Sequence, residues 1–102
     1  MIHHLKLEDR WFREVTHRKK TFEVRYDDRG YMPGDYLILE EVTKNIDGSI
    51  EYTGFEITAI VTYILRAEDF PSGLKDGYVV MAIEVMGIGK KLSNEKYREL
   101  MR

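Results

Sequence analysis

The segment that most restricts the fold of this chain is residues 55–65. In an extended backbone successive side chains point to opposite faces, which sets Phe55, Ile57, Ala59, Val61, Tyr63 and Leu65 against Glu56, Thr58, Ile60, Thr62 and Ile64. The second face turns apolar towards its end. Such a run needs cover on both sides and is expected to be the central, most buried strand of a sheet. With 102 residues, 43% of them hydrophobic, the chain can bury one modest core and not two. The expectation is a single domain built around one sheet.

The other elements follow from the same periodicities. Residues 2–7 alternate as a first strand. Residues 8–17 read as a helix with Leu7, Trp11, Phe12 and Val15 on one apolar stripe, which assigns Trp11 to the core. Further strands are expected at about 20–26, 35–42, 50–65 and 77–86, with Asn45-Ile46-Asp47-Gly48 as a hairpin turn. Gly87-Ile88-Gly89-Lys90 lacks the glycine spacing of a phosphate loop and reads as a flexible bend. Beyond it Ser93 is a suitable N-cap for a last helix, with Glu95 near its positive end and Leu92, Tyr97, Leu100 and Met101 on one side. Short connections between successive strands imply a mainly β, α+β domain, a small and mostly antiparallel β-barrel with helices at its edge, because closing the sheet removes its free edges. The domain is expected to span residues 1–86, with residues 87–102 as a C-terminal helical extension packed on it.

Composition removes several classes of function. Without cysteine there is neither a disulfide nor a thiolate metal site, a choice that suits a cytoplasmic location. No apolar run reaches the roughly 18 residues of a membrane span, and the first residues do not form a signal-like stretch. His3, His4 and His17 lack the spacing of a helical metal pair, so neither a metal nor any other cofactor is expected. Residues 1–34 carry a net charge of +2 and residues 35–102 a net −4. That is too little for a duplex, whose affinity grows with the number of phosphates neutralised. A short single-stranded RNA, a nucleotide or a nucleoside fits the local cluster between Arg18 and Arg29 better.

Within that cluster, Arg18-Lys19-Lys20-Thr21-Phe22-Glu23-Val24-Arg25 packs five charges of both signs into eight positions. On a strand, Phe22 and Val24 would anchor a core, while Thr21, Glu23 and Arg25 face the other way. Lys20, at the helix-to-strand junction, escapes strict alternation and can face the same side as Glu23. The turn cluster Asp27-Asp28-Arg29-Gly30 follows, then Met32-Pro33-Gly34-Asp35 before the run Tyr36-Leu37-Ile38-Leu39-Glu40. This order resembles the ASCH domains of the PUA-like superfamily, with their signature Gly-x-Lys-x-x-Glu-x-Arg, a loop, and a strand opened by Gly-Asp. Here the signature reads Arg18-x-Lys20-x-x-Glu23-x-Arg25. The chain is also similar to a family of short bacterial and phage ASCH-like proteins of undetermined function, through His3-x-Leu5-Lys6, Lys20 to Arg25, Tyr52-Thr53-Gly54 and Gly77-Tyr78-Val79-Val80. The likeness covers residues 2–84. Its departure is Arg18, which stands where a glycine would ease a tight turn with positive φ.

The resemblance implies a PUA-like barrel in which the helix and the following strand border a cleft holding the signature residues. Three uses of that cleft are open. It can bind RNA or a nucleotide, with Lys20 and Arg25 meeting phosphate or base acceptors, Glu23 accepting from an exocyclic amine, and Tyr26 or Tyr63 stacking on the base. It can be an amidohydrolase site, since some small ASCH proteins hydrolyse N4-acylated cytidines with a Lys, a Thr and a Glu. Glu23 occupies the position of their threonine, so Lys20 and Glu23 remain the catalytic candidates and the nucleophile is missing. Or Glu23 and Arg25 form a structural, shielded ion pair. Binding is the favoured reading, with Lys20, Glu23 and Arg25 as its residues and His3, Lys6, Tyr26, Arg29 and Tyr63 as further candidates.

Overall fold

Residues 55–65 lie at the centre of a sheet. In the computed structural model, which describes residues 1–91, β4 (Ile50–Arg66) is flanked by β3 (Tyr36–Lys44) and β5 (Tyr78–Lys90). β1 (Ile2–Glu8) and β2 (Phe22–Tyr26) form the two edges, giving the order β1-β3-β4-β5-β2. The pairs β3–β4, β4–β5 and β5–β2 are antiparallel, whereas β1 runs parallel to β3. The sheet is therefore mixed. A parallel neighbour requires a crossover, supplied here by α1 (Asp9–Thr16) and β2.

Irregularities curl the sheet into a half-barrel, as bulges bend the strand that carries them. Opposite Glu41, β4 accommodates residues 53–55, with Gly54 at φ +92°. Further along, Met86 on β5 and Thr62 on β4 are each passed over in the pairing. The extra Thr62 reverses the alternation. Ile57, Ala59 and Val61 are buried, but beyond the bulge Ile64 turns into the core and Tyr63 is 64% exposed. β5 also runs on through Gly87–Lys90, which pair with residues 55–58 of β4 in place of the expected bend. The helix expected from Ser93 lies outside the described residues.

The concave side holds the core. Leu5 and Leu7 of β1, Leu37 and Leu39 of β3, the buried β4 residues, and Val79, Met81 and Ile83 of β5 meet Phe12 and Val15 of α1 there. Trp11 does not join them. At 100° per residue it lies roughly 70° from the midline between Phe12 and Val15, at the flank of the stripe, and it is 41% exposed.

Two further features make the frame. After α1, the Arg18 amide donates to the Val15 carbonyl and the Lys19 amide to the Glu14 carbonyl, each at 3.0 Å, with Arg18 at φ +63°. That is a Schellman ending, in which glycine usually takes the left-handed position. The tight turn expected of a glycine is thus made by an arginine. In the loop before β3, Asp27 Oδ1 accepts the amides of Arg29, Gly30 and Tyr31 at 3.2, 2.7 and 3.2 Å, and its Oδ2 accepts from Arg66 at 3.2 Å. Asp35 Oδ2 accepts from His3 Nε2 at 2.9 Å and from the Met32 amide at 3.0 Å. Burial pushes both carboxyls up, and these hydrogen bonds outweigh it, so both pKa values lie below the ordinary aspartate value.

Two outcomes are expected. A carboxyl whose folded pKa is depressed adds stability that is present above its unfolded pKa, about 3.9, and is lost as pH falls through the folded value. Melting temperature measured from neutral pH down to about pH 2 should drop below about pH 4, and Asp27→Asn should lower the neutral plateau and flatten that acid limb. Arg18→Gly relieves the left-handed strain and should raise stability by about 0.5–1 kcal/mol, read from urea unfolding.

Candidate functional site

A curled sheet with two edge strands leaves an open seam, and here the seam lies between β1 and β2. A strand paired on one side alone exposes every second backbone carbonyl. On β1 these are closed off by arginines from across the gap: Arg25 Nη2 donates to the Lys6 carbonyl at 2.8 Å and Arg29 Nη1 to the His4 carbonyl at 2.9 Å.

Pairing decides which way β2 faces. Glu23 lies opposite Met81 and Arg25 opposite Val79, and both partners are core residues. Directly opposed residues share a face, so Glu23 and Arg25 point to the concave side. Phe22 and Val24, expected to anchor a core, point outwards and are 43% and 48% exposed. The inversion is tolerated because the carboxylate is neutralised where it is buried. Glu23 is 2% exposed. Arg25 grips its Oε1 through Nε at 3.1 Å and Nη2 at 2.7 Å, and Lys20 Nζ donates to Oε2 while also reaching the Phe22 carbonyl at 2.6 Å.

Along the seam runs a groove of about 720 Å³. One wall is residues 6–8 of β1, the other residues 22–25 of β2. Trp11 and Glu14 of α1, with Lys19 and Lys20 of the turn, complete the lining. Four cations and three carboxylates line it, so its net charge is small. Trp11 is held in place from behind: the Arg10 guanidinium lies 4.5 Å from its ring centroid and is itself 3.6 Å from the Glu8 carboxylate. The Lys20 ammonium sits 5.0 Å from the centroid of Phe22.

Of the residues singled out in the sequence, Lys6, Lys20, Glu23 and Arg25 share this groove. The others lie elsewhere. His3 faces the core, bonded to Asp35 and edge-on to Tyr31 at 4.8 Å. Tyr26 is on the outer face of β2, edge-on to Tyr78 at 5.5 Å and stacked over Gly77, where a Cβ would come within 2.6 Å of its ring. Tyr63 is turned outwards by the Thr62 bulge, and Arg29 serves the seam. Glu23 is too buried to accept from a ligand amine. The aromatic residues that do line the groove are Trp11 and Phe22, which hydrophobic periodicity alone assigns to the core. Their signal was position: Trp11 at the flank of a short helix's stripe, and Phe22 on an edge strand beside a buried-type glutamate. Among the described residues no three His, Asp or Glu side chains cluster as a metal ion requires, and no helix is long and apolar enough to cross a membrane.

Fold and site together define a small mixed-β half-barrel domain with a charged and aromatic groove along its open seam. The chain belongs to the family described as Domain of unknown function (DUF3850), whose sequence profile matches residues 2–83. It is 35% identical over 69 residues to the "Uncharacterized 12.9 kDa protein in GpA 3'region" of Escherichia phage P2, a match covering 68% of this chain and 59% of the phage protein. The chain thus spans less than two thirds of that relative's length. The crystal structure of hypothetical protein PH0355 has a similar fold, with a TM-score of 0.54 at 17% identity over 84% of this chain and all of that one.

Removing a buried carboxylate strands both of its cations. Glu23→Ala should therefore cost about 3 kcal/mol in urea unfolding, whereas Lys20→Ala, which leaves the Arg25 grip intact, should cost about 1 kcal/mol or less. Equal losses for the two would mean that Glu23 is not the keystone of this cluster.

Proposed function

We propose that the seam groove is a binding site for short single-stranded RNA or for a nucleotide, as in the ASCH domains that the Lys20-x-x-Glu23-x-Arg25 signature resembles. One observation carries this reading: two cations, Lys20 and Arg25, are held by a shared buried carboxylate in a groove that the exposed aromatic residues Trp11 and Phe22 also line. Donors fixed in advance lose little entropy when a ligand binds, and aromatic walls accept any base face. The near-neutral lining supports a ligand with few phosphates.

The amide-hydrolysis alternative has less support. Among the described residues that line the groove, none carries a hydroxyl or thiol, so a covalent route by the usual oxygen or sulfur nucleophile has no residue there.

The test is a titration of fluorescein-labelled RNA tetramers and of the four nucleoside 5′-monophosphates against the parent and two variants. Lys20→Ala is expected to weaken binding at least about tenfold, the loss of one charge-assisted hydrogen bond, while the protein melts within a few degrees of the parent. Arg25→Lys should weaken binding and lower stability together, because it breaks a bidentate grip that lysine cannot restore. Unchanged affinity in Lys20→Ala, or no binding by the parent, would refute the reading. In parallel, incubation with N4-acetylcytidine followed in the ultraviolet is expected to show no turnover.

A further inference from the structure

The hydrogen-bonding capacity that Lys20 and Arg25 leave unused is one-sided. An ammonium has three N–H donors and a guanidinium five. Lys20 gives two of its three to the Phe22 carbonyl and Glu23. Arg25 gives Nε to Glu23 and Nη2 to Glu23 and the Lys6 carbonyl. That leaves one N–H on Lys20 and the two on Arg25 Nη1. The carboxylate that could have balanced them has both oxygens engaged by the two cations and is almost wholly buried. What Lys20 and Arg25 leave over for a ligand is donors alone, while the acceptors of the lining are the separate carboxylates of Glu8 and Glu14.

A donor pair of this kind discriminates among bases. Guanine carries adjacent acceptors at O6 and N7, the usual partners of Arg and Lys, whereas adenine puts an N6 amine where guanine has O6. An amine brought against Lys20 or Arg25 would meet a donor with a donor. Orientation comes from the aromatic side. Arg10 covers one face of Trp11 without itself lining the groove, while Trp11 does line it, so the uncovered part of the indole is the surface offered to a planar ligand.

Resting on the nucleotide-binding reading above, we infer that the groove selects a keto nucleobase, guanine first, stacked against Trp11 with its acceptor edge on Lys20 and Arg25. The phosphate is secondary.

Trp11 is the chain's sole tryptophan, so quenching of its fluorescence reports on the site directly. Guanosine, inosine, adenosine and ribose 5-phosphate are titrated into the parent protein and into Lys20→Met. Guanosine and inosine, which share O6 and N7, should bind with similar affinity and at least about tenfold more tightly than adenosine. Ribose 5-phosphate should not quench. In Lys20→Met the gap between guanosine and adenosine should narrow, and a melting curve identifies any loss of fold. Equal affinity of the parent for guanosine and adenosine overturns the selectivity while leaving nucleotide binding in place. Ribose 5-phosphate binding as tightly as guanosine overturns the base-first assignment. Absence of quenching and of measurable binding by any of the four overturns both readings.

Discussion

A carboxylate buried on the concave side of an edge strand must be neutralised where it stands, since the desolvation of an unpaired charge costs several kcal/mol. For Glu23 that requirement is met by residues whose positions are local consequences of the chain. Arg25 is two residues along the same strand and so on the same face. Lys20 is delivered by the Schellman turn, which reverses the backbone directly after α1 and leaves two residues, Lys20 and Thr21, before β2 begins. The helix ending, the register of β2 on β5 and the rim of the core thus converge on one side chain. The turn that holds Arg18 in a left-handed conformation is the turn that brings Lys20 to Glu23.

The same arginine that holds Glu23 also closes the sheet. Open half-barrels have edge strands whose free carbonyls invite another strand, and natural folds blunt such edges with charged side chains. Arg25 and Arg29 do so by donating to the Lys6 and His4 carbonyls. They bridge the gap without filling it. What remains is the groove, with Lys6 to Glu8 on one side and Phe22 to Arg25 on the other. The site is therefore a by-product of a barrel that stops one strand pairing short of closure.

Much of this frame could be read from the sequence, and the failures share a cause. Strand positions, the helix, the Asn45–Gly48 turn and the mainly β class follow from periodicity and turn chemistry, which are local. The face of each strand does not. Strict alternation puts Tyr63 on the same face as Val61, but the unpaired Thr62 shifts the phase by one residue and sends Tyr63 outwards. Phe22 and Val24 looked like core anchors because hydrophobicity was taken to define the inner face. On this edge strand the inner face belongs to Glu23, neutralised by partners whose geometry no pattern displays. His3 carried a motif match and turned out to be a packing residue on Asp35 and Tyr31. Lys20, Glu23 and Arg25 were found together because their grouping depends on spacing of two and three residues, which survives folding unchanged.

Exposed apolar surface gives the groove its energetic character. Trp11 and Phe22 keep 41% and 43% of their surface in water, and removing apolar area from water yields about 25 cal/mol per Å². A planar ligand lying on that wall gains from it whatever its charge. The cations act differently. Because Lys20 and Arg25 are already paired with Glu23, a ligand acceptor meets donors whose charge is largely compensated, so the interaction gains less from Coulomb attraction than from geometry. Under the proposed binding reading, the aromatic surface would contribute to affinity for any flat ligand, and the donors would add both affinity and selectivity. Such a division suits a site that must tell one flat polar molecule from another, and it suits poorly a site that tracks a polyanionic backbone, for which uncompensated charge along the groove would be the effective design.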